Sequence, residues 1–356
     1  MDPAPLSDQF EVSIFGPGWG EAIAVHVGRG EWLLADSCRN PDDRSVMSVS
    51  YLRSIGVDPS AVKWIVASHW DDDHVRGLAE TVDTCAAADF YCSSALRARE
   101  VLTVIGQYGR GNPGGASELR SVLDVLASRG KTVHLVGPDR LIGRRSGSEG
   151  LPPFEIYSLG PSDKAVLQAI SAVGQLAMSD GVRRLYPAWP AANLTSIALL
   201  VRFDATSIIL GADLESDEVG WPAVLGSSLV DSISADLFKV PHHGSSDAYL
   251  KEVWEDLFAQ SPVAAVTPYR SGRASLPSDA GLKKICAHTE RVWLTAPRTR
   301  PEQIQRDRTV EKTIRDVVKD LHRAEHRAGQ IRCRWRRSSG WEVETLGVAL
   351  SHRCAA

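Results

Sequence analysis

The first hundred residues move between two hydrophobic rhythms. Short apolar runs punctuated by glycine, FEVSIFG, EAIAVHVGRG and EWLLADS, predict a strand meander. VMSVSYLRSIG has helical spacing and a stop at Gly56. VKWIVASHW is rich in β-branched and aromatic residues and predicts a buried strand. Residues 94–130 read as mostly helical, interrupted by the glycine-rich GRGNPGG. That stretch reads as a linker, because it neither follows a strand nor carries the lysine of a phosphate-binding loop. A second helical insertion is predicted near 165–190. Strand-like runs resume in TSIALLVRF, TSIILGAD, DLFKVPHHGSS and VAAVTPYR. From residue 307, Val310, Ile314, Val317, Val318 and Leu321 share one helical face, with Gly329 as a stop. That face is expected to turn inward and leave Arg308, Lys312, Arg315, Lys319 and Arg323 towards solvent. QIRCRWRR and GWEVETLG predict a closing hairpin, and no repeat of fixed period is present.

Composition adds bounds to this pattern. A chain of 356 residues, 43% hydrophobic and 24% charged, suits one large globular domain or two ordinary ones. No apolar run approaches the length of a membrane span, so no membrane insertion is expected. The opening MDPAPLSDQF lacks a basic patch followed by an apolar stretch, which argues against a secretory signal and makes the cytoplasm the expected location. Six cysteines, Cys38, Cys85, Cys92, Cys286, Cys333 and Cys354, contain no CxxC pair. The expectation is buried or idle thiols rather than a zinc ribbon or a disulfide framework. The net charge of −4 is unevenly spread: residues 291–337 hold fourteen Lys/Arg against six Asp/Glu, which leaves about −12 on the remainder. Such asymmetry fits either a phosphate-binding face or an ordinary solvated helix and hairpin.

Chemistry concentrates where the strand rhythm stops. SHWDDDH places His69, Asp71, Asp72, Asp73 and His74 directly after the VKWIVA strand, at the end of a core strand where α/β proteins gather ligands. Three other apolar strands also end in metal-capable side chains: EWLLADS in Asp36, TSIILGAD in Asp213 and DLFKVPHHGS in His242 and His243. Imidazole and carboxylate donors without cysteine suit a hydrolytic centre holding zinc, manganese or iron more than a structural one. Two cations would also relieve the repulsion among Asp71, Asp73 and Asp213.

His69-x-Asp71-x-Asp73-His74 resembles the HxHxDH signature of the metallo-β-lactamase fold, with Asp71 where the second histidine usually stands. Together with the ILGAD strand and KVPHHGS, this HxDxDH variant resembles the hydrolase domain of ComEC-type DNA-uptake proteins and their free-standing relatives. GPGWGEAIAVHV is similar to the family's opening hairpin, LLADS to its first acidic strand end, NLTSIALLV to its Asn-x-x-Ser strand, and VWLTA with GQIRCRW to its closing strands.

The resemblance implies a four-layer αββα sandwich with helical insertions near 94–130 and 165–190. It implies a hydrolase domain over 8–298, with 299–356 packed on that domain as a basic helix and closing hairpin. It implies a dinuclear site for two divalent metal ions, zinc or manganese: His69 and Asp71 on the first, Asp73 and His74 on the second, Asp213 bridging, and His242 completing the set. His243 is then a second ligand or a substrate contact, and Asp36 a hydrogen-bond acceptor that orients the loop. Relatives carry a further histidine before a late proline, where this chain has Leu276 in YRSGRASLPSD. The site is therefore oxygen-rich, which favours tolerance of manganese. The implied activity is hydrolysis by a metal-bridging hydroxide, with Asp73, Asp213 and His243 as the catalytic residues and His243, Lys239 or Arg273 near the leaving oxygen. A phosphodiesterase or nuclease acting on nucleic acid or nucleotides is the first reading. Hydrolysis of an ester, lactone or thioester, or a non-catalytic binding module, is the alternative.

Overall fold

The computed structural model describes residues 3–98, 101–102, 105, 114–148, 150–178, 192–231, 233–271, 274–298, 308–317 and 327–354. Two eight-stranded sheets carry the fold. The first runs β17 (Gly340–Gly347), β16 (Gly329–Arg336), β1 (Phe10–Gly16), β2 (Ala22–Val27), β3 (Trp32–Ala35), β4 (Val62–Val66), β5 (Asp89–Ser93), β6 (Val133–Val136). The second runs β18 (Leu350–His352), β15 (Val292–Leu294), β12 (Phe258–Val266), β11 (Ala235–Lys239), β10 (Thr206–Leu210), β9 (Leu199–Phe203), β8 (Phe154–Ser158), β7 (Arg140–Arg145). A separate small hairpin joins β13 (Tyr269–Ser271) to β14 (Ala274–Leu276).

Strands buried on both faces explain why the apolar runs are continuous instead of alternating. Successive residues point to opposite faces. Leu33 on β3 and Ile208 on β10 enter the layer between the sheets, where Val12, Ile14, Val25, Val201, Leu237 and Val263 also meet. Their neighbours Leu34 and Ile209 face outward into two separate helix layers. Leu34, Ile65 and Phe90 pack against Leu52, Leu78, Leu119 and Val122 from the helices Met47–Ser54, Leu78–Thr84 and Gly115–Ser128. On the other side, Ile209, Phe238 and Ala264 pack against Trp221, Trp254 and Leu282 from the helices Trp221–Leu225, Lys251–Leu257 and Asp279–Cys286. Helix, sheet, sheet, helix is the αββα sandwich. Among the described residues, no helix is long and apolar enough to cross a membrane.

Within each sheet a parallel block sets the position of the site. β3, β4, β5 and β6 pair in parallel, as do β10, β11, β12 and β15. Their carboxyl ends bring the loops that begin at Asp36, Ala67, Gly211, Val240 and Thr267 together. The C-terminal segment joins both sheets: β16 pairs antiparallel with β1, and β18 with β15.

Three expectations need correction. Cys286 and Cys354 form a disulfide, while Cys38, Cys85, Cys92 and Cys333 are buried free thiols. The bonded pair lies 68 residues apart and becomes adjacent only when β18 docks beside β15, so no local spacing signals it. In the helix Arg308–Val317, Val310 and Val317 are 46% and 76% exposed, so they do not turn inward. Their spacing sets a common face, but spacing alone does not supply a surface to cover it. Val318, Lys319, Leu321 and Arg323 lie outside the described residues. Finally, the end of GRGNPGG is not a linker: Gly115 opens the helix Gly115–Ser128.

Candidate metal centre

Each site residue follows a strand end. Asp36 follows β3, and its carboxylate accepts from Ser68 N (2.7 Å), Ser68 Oγ (2.7 Å) and His74 Nδ1 (2.8 Å). One acid thereby fixes the whole SHWDDDH loop. Backbone bonds pin the loop further: Glu21 N–H donates to Asp73 O at 2.9 Å and Ser37 N–H to His74 O at 2.7 Å. His242 and His243 follow β11 and are anchored when His242 N–H donates to Ala212 O at 2.9 Å. Asp36, Ala212, His242 and His243 all have positive φ (58°, 46°, 46° and 54°), a conformation uncommon for such residues and often found where function dictates the backbone.

The imidazoles divide by nitrogen. His74 Nδ1 is held by Asp36, and His243 Nδ1 donates to Thr267 O at 2.8 Å. Their Nε2 atoms turn towards the carboxylates: His74 Nε2 lies 3.2 Å from Asp213 Oδ1, and His243 Nε2 lies 3.0 Å from Asp73 Oδ2 and 3.9 Å from Asp213 Oδ2. His69 stacks beside His74 with ring centroids 4.1 Å apart, its Nε2 3.9 Å from Asp71 Oδ2. His242 Nε2 lies 3.8 Å from Asp213 Oδ2, and its Nδ1 3.6 Å from Glu215 Oε1. His69 Nε2, His74 Nε2 and Asp213 Oδ1 are buried without a hydrogen-bond partner in the described structure. Buried polar atoms rarely stay unsatisfied. Divalent cations would give such atoms partners, so the donor set fits a metal.

Ligand-type atoms of Glu21, His74, Asp213 and His243 lie within 4.8 Å of one another. Glu21, however, occupies the wrong side of the rings for a shared ion. It approaches the Nδ1 atoms, 3.7 Å from His74 and 3.8 Å from His243, and those nitrogens are already engaged. Its Oε2 accepts from Thr267 Oγ1 at 2.6 Å and pairs with the ammonium of Lys239. Glu21 and Lys239 are both fully buried and form the floor beneath the cluster.

Electrostatics describe a centre short of positive charge. Burial opposes a charged His74, but Asp213, Glu21, Asp36 and Asp73 outweigh it and raise its pKa well above the usual histidine range. His243 is raised for the same reason, chiefly by Asp213 and Asp73 against burial. Burial also works against an ionised Asp73, yet His74 and His243 hold it at about 2. Asp213 falls well below the carboxylate range by the same balance. Burial, with the charge of His74, pushes His69 down to about 3. Burial and then the charge of Asp73 push Asp71 up to about 7. These shifts favour the protonated, positively charged rings of His74 and His243, and a bound metal would replace that charge.

Residues 18–157 match the family model described as "Metallo-beta-lactamase superfamily". The match covers less than half of the chain. The matched region contains Asp36 and the SHWDDDH loop and ends before Asp213. No curated protein sequence matches the chain. Similar solved structures include the metallo-β-lactamase SMB-1 bound to 2-mercaptoethanesulfonate, with 13% identity, 67% of this chain and 80% of that chain covered, and a TM-score of 0.35. The metallo-β-lactamase MIM-2 has 15% identity, coverage of 82% and 89%, and a TM-score of 0.37. MEM-A1, a subclass B3 metallo-β-lactamase from a soil metagenome library, has 14% identity, coverage of 68% and 82%, and a TM-score of 0.37.

At the carboxyl ends of the two parallel blocks, the structure brings together His69, Asp71, Asp73, His74, Asp213, His242 and His243. Of the adjacent histidines, His243 is the inner one, 2% exposed, while the His242 side chain is 22% exposed. Lys239 does not reach the leaving-oxygen side: it is sealed beneath the site with Glu21. Arg273 lies outside the described residues. Leu276 ends β14 in the small hairpin, and Tyr269 on its partner strand stacks on His243 with centroids 5.1 Å apart. Glu21 was missed from sequence. The available signal was an acid placed between PGWG and the wholly apolar start of β2.

Proposed function

We propose that the chain is a metal-dependent hydrolase of phosphodiester bonds, a ComEC-like member of the superfamily acting on nucleic acid or nucleotides with two divalent cations, zinc or manganese. The observation that carries the reading is the convergence of the Nε2 atoms of His74 and His243 with Asp73 and Asp213, among them buried atoms without partners. His69, His74, His243, Asp73 and Asp213 would hold the metal, with Asp71 and His242 at its margin. A cation in that place supplies Lewis acidity towards water and towards an ester oxygen. Asp36 keeps the His74 Nε2 face free by occupying Nδ1, and Thr267 does so for His243. Asp71 and Asp73, with side chains 34% and 17% exposed, are the carboxylates that solvent reaches, and we assign Asp73 to orient the attacking water. The surplus of positive charge over residues 291–337 supports an anionic substrate. The oxygen-rich donor set supports tolerance of manganese.

The test is a substrate panel with zinc or manganese added: bis(p-nitrophenyl) phosphate, a lactone, a thioester and a β-lactam. Hydrolysis of the phosphodiester is expected, abolished by chelator and reduced at least about 100-fold by Asp73→Asn. Turnover of one of the others with the phosphodiester untouched would replace this reading.

A further inference from the structure

We infer that the pocket beside Asp73 is a subsite for a phosphate group and an adjoining aromatic base of the substrate. The inference rests on the phosphodiester reading above. The pocket, about 270 Å³, opens between the β1–β2 turn, the loop after β3 and the helix Asp72–Val75. Trp19, Arg39, Arg44, Asp73, Arg76 and Arg327 line it. Asp73 is shared with the candidate metal centre, so anything filling the pocket abuts the reacting group.

Four guanidinium groups around one small space are costly unless an anion balances them. Three are oriented by carboxylates: Arg39 by Glu80 at 2.8 Å, Arg76 by Asp72 at 2.9 Å and Arg327 by Asp42 at 2.7 Å. A guanidinium carries five N–H donors in a fixed fork. The described contacts engage Nη1 of Arg39, Nη2 of Arg76, and Nε and Nη2 of Arg327, so each retains donors for a ligand. Arg44 has no carboxylate partner among the described residues, and its exposed side chain makes it the surplus cation. Asp73 is committed to the metal centre, so four guanidinium groups face three other carboxylates. A phosphate oxygen array suits such planar forks. Trp19, 36% exposed on the same wall, offers a ring face on which a base can stack.

Calorimetric titration of the protein as purified with thymidine 5′-monophosphate, methyl phosphate and thymidine tests this. The monophosphate is expected to bind more tightly than either fragment. Arg44→Glu should weaken the monophosphate at least about tenfold, and Trp19→Ala should weaken it while sparing methyl phosphate. Arg53→Glu, an equal charge change at an exposed position outside the pocket lining, should shift binding less than twofold. Absent binding of the monophosphate, indifference to both pocket variants, or an equal loss in Arg53→Glu would each overturn the subsite. Hydrolysis is not read in this titration, so failure of the phosphodiesterase reading would register separately, in the substrate panel.

Discussion

His26, fully buried on β2, has both ring nitrogens committed. Its Nδ1 lies 2.8 Å from the Gln9 carbonyl oxygen and so must donate, while Gly30 N–H donates to Nε2 at 3.0 Å, so that nitrogen must accept. Only the neutral ring satisfies both. Burial, with Arg145 and Arg334 nearby, pushes its pKa down to about 4. The unfolded chain therefore takes up this proton first as pH falls through the ordinary value near 6.5. Stability from His26 is complete above that pH and is lost as pH drops towards 4, about 3 kcal/mol in all. Denaturant unfolding at pH 7.5 and 4.5 should show a smaller acid loss in His26→Gln than in the parent by about that amount. Equal losses would contradict the assignment. The same scale shows what the chain makes legible. His69, Asp71, Asp73 and His74 are readable because one seven-residue loop carries them. Glu21 and Lys239 are not, because their pairing depends on two sheets closing over each other.

Among the elements, the helix Gly115–Ser128 presses directly on the site loop. A Cβ on Gly115 would lie 1.8 Å from the Trp70 carbonyl oxygen, so the glycine lets the helix N-terminus press against the backbone of SHWDDDH. Glu118 on the same helix accepts from Ala79 N–H at 3.0 Å, tying the helix to Leu78–Thr84 beyond the loop. Alanine in place of glycine ordinarily stabilises a helix by up to about 1 kcal/mol. Here Gly115→Ala should instead destabilise, by about 1–3 kcal/mol, as for other overpacked positions, and should weaken metal affinity. Thermal unfolding and metal titration of the variant check this; an unchanged or raised midpoint would show that the contact does not hold the loop. Strands with long apolar runs, such as β4 and β10, were evident from sequence. β7, RLIGRR, was not, because an edge strand with one solvated side lacks a continuous apolar signal. The helix Arg308–Val317 errs the other way, with helical spacing but exposed valines.

For the whole molecule, the sandwich places two independent groups of candidate ligands on one rim. The first sheet supplies the SHWDDDH loop and its Asp36 anchor, and the second supplies Asp213 and His243. The last strands lock the sheets on which this alignment depends, since β16 and β17 complete the first and β18 the second, with Cys286–Cys354 fastening β18. If this alignment exists to hold a cation, metal content reports it directly. Elemental analysis of the purified protein after titration with zinc or manganese should find one to two bound ions per chain, of the order expected for a dinuclear donor set. His74→Ala and Asp213→Asn, one from each sheet, should each lose bound metal and the thermal stabilisation that metal confers. A parent protein that binds neither ion, or full metal content in both variants, would contradict a metal centre at this rim.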